Sequence, residues 1–316
     1  MPIQRDIGRL LAALLCALST AAACADAILL RPSPALTHEQ RLHWAVGRSF
    51  ALKPWVSAPA STTARDGLGP WFNARNCAGC HPGNGQGELP ERGLGLILRL
   101  APDSPFGQQL QDQALPGFTP EGQLSWSNQQ RKHPQGPLPY RHYVIAEQPA
   151  QPVSARLAPM LLGMGLLDGV DDADILAWQD PDDGDGDGIS GRAAVLNPAG
   201  DSPQIGRFGW KAAQASLREQ VAQAFAEDLG IDNPLRRAAS CAQQAKGDGQ
   251  LLLHCQRASG ADRDGVEISE SLIDAVVFYV ANLAMPAAAA EPHAAGQQLF
   301  QQLGCAACHR PALPAG

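Results

Sequence analysis

The chain has 316 residues, 24 Lys and Arg against 31 Asp and Glu, and a formal net charge of -7. No basic stripe able to neutralise phosphates accompanies that balance, which argues against a nucleic-acid partner. An electrostatically steered partner would instead be basic or present a basic patch.

The first residues decide the compartment. "MPIQRDIGRLLAALLCALSTAAACADA" opens with Arg5 and Arg9, runs apolar from Leu10 to Leu18 and closes in small residues, the layout of a secretory signal peptide. Cleavage after Ala27 fits Ala25-Asp26-Ala27, and cleavage after Ala25 fits Ala23-Cys24-Ala25. Lipoprotein processing at Cys24 ranks lower, because Ala21 stands three positions before it where a large aliphatic belongs. Cys16 and Cys24 then leave with the signal. The apolar run is too short to span a bilayer and no later one is longer, so the mature product is expected to be soluble, exported and periplasmic. About 290 residues remain, enough for one large core or two domains.

Helical signals dominate the rest. "THEQRLHWAVGRSF" opens with a Thr37-x-x-Gln40 capping box and puts Leu42, Ala45, Val46 and Phe50 at helical spacing. "SLREQVAQAFAEDLG" repeats the beat at Leu217, Val221 and Phe225 and closes at Gly230, a C-terminal cap glycine. "SESLIDAVVFYVANLAMP" does so at Leu272, Val276, Val280 and Leu283, with Pro286 as its stop. Residues 101 to 140 are rich in Pro, Gly and Gln without a sustained period and read as long loops over a buried group. The expected fold class is therefore mainly α, with few strands.

"MPAAAAEPHAAG", 285 to 296, reads as a linker. The expected organisation is a signal peptide at 1–27, a first module at 28–285 with long insertions, and the start of a second at 286–316. Two short stretches support the repeat: "NCAGCH" at 76–81 and "GCAACH" at 304–309 share a Phe-x-x-x-x-Cys-x-x-Cys-His frame, begun by Phe72 and Phe300. Both phenylalanines are expected beside the attachment helices.

Cys-x-x-Cys-His has a specific chemistry. Two cysteines three positions apart place both thiols on one side of a helical turn, where they add across the two vinyl groups of one haem; the adjacent histidine then ligates the iron. Cys77, Cys80 and His81 would hold one haem c, and Cys305, Cys308 and His309 another. A zinc ribbon needs four ligands at other spacings. A thioredoxin-like dithiol needs a βαβ context that this sequence lacks. Cys241 and Cys255 remain, and in an oxidising compartment they most simply form a disulfide rather than a reactive pair. Closing that loop would contribute on the order of 3 kcal/mol.

"DPDDGDGDGISGR", 180 to 192, alternates carboxylates with glycines, so that Asp183, Asp185 and Asp187 can converge on Ca2+. It begins like an EF-hand loop but has Ala194 where the closing Glu belongs, and a solvated acidic turn is the competing reading. "DRDGVE", with Asp262, Asp264 and Glu267, is a weaker metal candidate.

"GLGPWFNARNCAGCH", "PMLLGMGLLDGV", "DPDDGDGDGISGR", "GRFGWKA" and "GCAACH" together resemble the bacterial di-haem oxidoreductase family, the thiol oxidoreductase-like proteins described as peroxidases, from about residue 45 onward. The resemblance implies a helical, cytochrome c-like periplasmic protein with one haem in each half. More distantly it is similar to di-haem cytochrome c peroxidases, where one haem receives electrons and the other handles peroxide. Seven residues follow His309, whereas family members continue, so the second module is expected to be incomplete.

The sixth position of the first iron separates electron transfer from peroxide chemistry, since a strong His or Met ligand blocks it. His133, His142, Met160 and Met164 are the candidates, with surface histidines and core methionines as the bland readings. Trp210 is an electron relay or a core tryptophan. The function expected is an exported di-haem c-type oxidoreductase, peroxidase-like, that passes electrons from a small redox protein to a peroxide-like acceptor. The alternatives are a haem c electron carrier without turnover and, more weakly, a metal-stabilised structural protein.

Overall fold

The computed structural model describes residues 30–89, 95–101, 104, 107–197, 202–237, 249–258, 266–286 and 294–309. The expected signal peptide, with Cys16 and Cys24, lies outside the described residues, as do Cys241, Asp262, Asp264 and most of the expected linker.

Seven helices occur among the described residues: α1 His38–Leu52, α2 Met164–Asp168, α3 Asp172–Leu176, α4 Leu217–Asp228, α5 Gly249–Ala258, α6 Glu270–Ala281 and α7 Ala294–Gln302. Three of them, α1, α4 and α6, start at side-chain caps that satisfy orphan amides. Thr37 and Gln40 form the reciprocal capping box at α1. Ser216 accepts from the Glu219 amide at α4, and Ser269 from that of Leu272 at α6. α4 buries Leu217, Val221 and Phe225 as its periodicity predicts, and Gly230, at φ 67°, follows its C-cap Leu229. α6 stops at Ala281, before Pro286 is reached, with Asn282 as its C-cap.

α1 turns a different face inward from the one its apolar spacing predicts. Leu42 and Val46 are 58% and 49% exposed, while Trp44, Gly47 and Ala51 are buried. The cause is close approach to α6. A Cβ on Gly47 would lie 1.9 Å from the Ala275 carbonyl oxygen, and the Trp44 indole N–H donates to the Tyr279 carbonyl at 3.0 Å. Around this contact Trp44, Trp55, Leu68, Phe72, Phe225, Ile231, Ile273, Val276 and Tyr279 form the main core.

The expectation of a mainly α fold is overturned: among the described residues helix accounts for 32% and strand for 18%. The strands are β1 Trp71–Phe72, β2 Leu96–Leu100, β3 Gln113–Ala114, β4 Leu124–Arg131, β5 Leu138–Ile145, β6 Val153–Leu157, β7 Val195–Leu196 and β8 Gln204–Ile205. They pair antiparallel as β1 with β3, β2 with β6, β4 with β5 and β7 with β8. β2 and β6 share a small second core with the root of the β4–β5 ribbon, built on Leu98, Leu100, Leu110 and Ile145. Part of the stretch read as irregular loop, in β3, β4 and the start of β5, is therefore sheet. The outer part of the ribbon is solvated on both faces, so its sequence has no buried side to impose an alternation.

Candidate functional site

The first cysteine motif is a single 3-10 turn, Cys77–Gly79, where an attachment helix was expected. Asn76 fixes it from both ends, since its Oδ1 accepts from the Gly79 amide at 2.8 Å and its Nδ2 donates to the Leu52 carbonyl at 2.8 Å. The Cys80 and His81 amides both donate to the Cys77 carbonyl, at 3.2 and 2.8 Å, which brings the two thiols and the imidazole onto one turn. The chain then reverses through Gly83 and Asn84, both at positive φ. Asn84 is buried, and its Oδ1 accepts from the Tyr279 hydroxyl at 2.7 Å. Its carbonyl accepts from the Leu161 amide at 3.0 Å. That bond draws residues 159 to 161 across the motif, and the Pro159 carbonyl oxygen comes to rest 2.7 Å from Nδ1 of His81.

Cys77, Cys80 and His81 line one cavity of about 240 Å³. Its opposite walls are largely apolar, from Ile97, Leu157, Met164, Phe208, Val221 and Val280. Polar groups gather at the motif end. There Gln109 Nε2 donates to Asp228 Oδ1 at 2.7 Å and to Asn73 Oδ1 at 2.9 Å, and Asn73 Nδ2 donates to Asp112 Oδ1 at 3.0 Å. Arg99 pairs with Glu227.

Desolvation sets the protonation states at this site. It pushes the Cys77 and Cys80 thiols up to about 12, reinforced by the nearby Asp228. It lowers the His81 pKa, against the opposing backbone hydrogen bonds of Pro159 and Gly85, so the imidazole is neutral at pH 7. It raises the Asp112 carboxyl, and it raises that of Asp228 to about 6. The site thus offers two protonated thiols, a neutral imidazole and a carboxyl poised near neutrality.

The second motif repeats the local fold without the enclosure. Cys305–Ala307 forms a 3-10 turn after Gly304, and the Cys308 and His309 amides donate to the Cys305 carbonyl at 3.3 and 2.9 Å. Yet α7 buries no residue, and Cys308 and His309 are exposed. The shared Phe frame also diverges. Phe72 is a buried strand residue, whereas Phe300 is 40% exposed on a helix with its ring edge-on to His309, centroids 6.2 Å apart.

Of the candidates for the sixth position, Met160 and Met164 line the cavity; His133 and His142 sit on the β4–β5 ribbon and are not among its lining residues. Trp210 stands at the cavity, 51% exposed, with the Arg156 guanidinium 4.8 Å from its ring centroid, so it is not a core tryptophan. In the acidic loop the carboxylates that converge are Asp180, Asp183 and Asp185, with ligand oxygens within 4.8 Å of one another. Asp187 lies outside that group and accepts from the Ile189 amide. Cys255 is buried on α5. Glu267 has its carboxyl pushed up to about 9 by burial beside Asp232.

Sequence reading missed Asp228, Gln109, Arg99 and Pro159. Each reaches the motif from a distant part of the chain, and none stands in a local pattern that announces chemistry.

A family model described as di-haem oxidoreductase, putative peroxidase, matches residues 149–315. The match takes in the cavity wall from Leu157 to Met164, helices α4 and α6, and the second cysteine motif; the first motif precedes it. No curated protein and no solved structure matches the chain. The matched span is more than half of the sequence and ends across the second Cys-x-x-Cys-His turn, and on that ground the chain belongs to the di-haem oxidoreductase, putative peroxidase family.

Proposed function

We propose that the cavity beside the first motif holds a haem c, joined through Cys77 and Cys80 and ligated by His81, in an exported oxidoreductase that reduces a peroxide-like acceptor. One observation carries the reading. Two thiols and a neutral imidazole share the wall of one apolar cavity, and the imidazole's Nδ1–H is engaged by the Pro159 carbonyl, which leaves Nε2 for a metal. The residues fit the group. They do not fit zinc: among the described residues Cys77, Cys80 and His81 are not among the groups whose ligand atoms converge within 4.8 Å of one another, as the four ligands of a structural zinc must.

Haem, when bound, supplies the electron-accepting and peroxide-activating iron chemistry. The chain's own contributions are separable. Cys77 and Cys80 tether, while Pro159 orients His81. Phe208, Val221, Val276 and Val280 exclude water. Asp228, with a carboxyl near 6, holds or yields a proton at its carboxylate oxygens close to neutral pH. Cys305, Cys308 and His309 form the corresponding attachment site for a second haem, and a small redox protein delivers the electrons.

The runner-up, an electron carrier without turnover, is favoured by Met160 and Met164, whose thioethers line the same cavity and would close the sixth position. A pyridine haemochrome assay with intact-mass analysis, on protein from a haem c-maturing host, counts the covalent groups. Peroxide turnover with a high-spin ferric fraction supports the oxidoreductase. Uniformly low-spin iron without turnover supports the carrier, and a colourless product with alkylatable motif thiols overturns both.

The same reading includes removal of residues 1–27 on export to the periplasm and a Cys241–Cys255 disulfide, supported by the burial of Cys255. It also places Ca2+ in the acidic loop on Asp180, Asp183 and Asp185, supported by their convergence. No described helix is long and apolar enough to cross a membrane.

A further inference from the structure

We propose that the β4–β5 ribbon is a docking arm for a second copy of this chain, and that it seats on the acidic face formed by α2, α3 and the loop that follows. The ribbon pairs eight residues with eight, from Leu124 opposite Ile145 to Arg131 opposite Leu138. Among the described residues its root is what is anchored, where Leu124, Tyr143 and Ile145 join the second core. From Ser127 to His142 every residue but Gly136 is exposed. A two-stranded ribbon is marginal in water unless something covers it, and this one presents Leu138 and Tyr140, 48% and 44% exposed, on its outer half.

Charge identifies the cover. Between Gln123 and Ala146 the chain has no Asp or Glu, whereas it has Arg131, Lys132 and Arg141, with His133 and His142 beside them. None of the three cations takes part in an ion pair among the described residues. Arg141 stacks over the Trp126 ring at 5.8 Å, which holds that guanidinium on the ribbon's face. In a protein of net charge -7 such a basic projection is local and seeks a negative surface.

The same chain presents one. Nine aspartates fall between 168 and 187, with no Lys or Arg until Arg192. Asp168, Asp171, Asp172, Asp182, Asp185 and Asp187 are exposed, and of these Asp172 alone takes part in an ion pair among the described residues, with Arg207. Leu166, Leu176 and Ile189 stand exposed among them, so the face matches the ribbon in apolar content as well as in charge. A cation bound in the loop would leave the face strongly negative. In a two-fold arrangement each copy gives its ribbon and receives its partner's, so the contact is made twice.

The test is sedimentation velocity on the haem-loaded chain from a maturing host, at low and high salt. The wild type is expected to dimerise at low salt and to weaken on the order of tenfold or more as salt rises toward 0.5 M. Two charge-reversed forms keep the assay independent of a folding defect: R131E/K132E/R141E, and D171K/D182K/D187K. Each alone should be monomeric, because ribbon and face then repel. Mixed together they should restore the dimer, since both contacts in the mixed pair become attractive again. A wild type that stays monomeric at low salt overturns the proposal, as does a dimer indifferent to either reversal or a mixture that fails to associate.

Discussion

Nδ1 of His81 lies 2.7 Å from the carbonyl oxygen of Pro159, seventy-eight positions later in the chain. An imidazole so engaged carries its proton on Nδ1 and keeps its lone pair on Nε2, and a backbone acceptor cannot itself be lost by a side-chain substitution. The replaceable element is the ring. On the proposed haem attachment, His81→Gly should retain a tethered haem, because Cys77 and Cys80 are untouched, but should lose the wild-type ligation spectrum. Added imidazole, entering the space the ring vacates, should restore it. A variant whose absorption matches wild type before imidazole is added would show that His81 is no ligand.

Asp228 makes the site sensitive to pH in a definite direction. Its carboxyl rises from 3.8 to about 6, chiefly by desolvation, with Gln109 and Arg99 opposing the rise. The folded protein therefore binds this proton more tightly than the unfolded chain does. Stability from this group is fully present below about pH 4, is lost as pH rises toward 6, and stays lost above it. The penalty at neutral pH is at most about 3 kcal/mol. Asp228→Asn keeps an oxygen for Gln109 and removes the charge, so its gain over wild type should be near zero at pH 4 and about 1–3 kcal/mol at pH 7. Urea unfolding of the two forms at both pH values reads the difference, and a gain of equal size at both would rule out titration as its origin.

Gly47 sits where two preferences conflict. Alanine is a better helix former than glycine by about 1 kcal/mol, yet a Cβ here would lie 1.9 Å from the Ala275 carbonyl oxygen, a backbone atom that cannot rotate aside. α1 and α6 would have to separate, and overpacking of that kind costs about 1–3 kcal/mol. Gly47→Ala should therefore lower the unfolding free energy despite the propensity gain. Leu42→Gln, on the exposed face of the same helix, should change it by less than about 0.5 kcal/mol. The reverse ranking in chemical denaturation would restore the burial face that the apolar spacing suggested.

These cases show which parts of the molecule were legible beforehand. The capping box at Thr37 and the α4 stripe at Leu217, Val221 and Phe225 are set within a few consecutive turns, and short-range pattern finds them. The cysteine turns are equally local, which explains why both copies adopt one hydrogen-bonding scheme. The face of α1 was not legible, because Gly47 has meaning only against Ala275. Nor was the β4–β5 ribbon, whose Ser, Asn and Gln residues face water on both sides. The cavity escaped for a related reason: Asp228 and Pro159 become chemistry only when distant segments bring them to Cys77 and His81.

Tyr279 connects the core to the turn that follows the first motif. Its hydroxyl donates to Asn84 Oδ1 at 2.7 Å, and burial pushes its pKa up to about 12, so it remains a donor across the physiological range. Asn84 stands at φ 63°, a left-handed conformation that asparagine tolerates better than most residues, and its carbonyl holds the Leu161 amide. Tyr279→Phe withdraws the donor while preserving the ring, at a cost of about 1–3 kcal/mol for the desolvated groups. Asn84→Gly keeps the backbone conformation and removes the acceptor. If the pair acts as one bond, the double variant should cost less than the two singles added together, by at least about 0.5 kcal/mol. Strict additivity in that cycle would mean that the hydroxyl and the amide stabilise the turn independently, and Tyr279 would then be a packing residue alone.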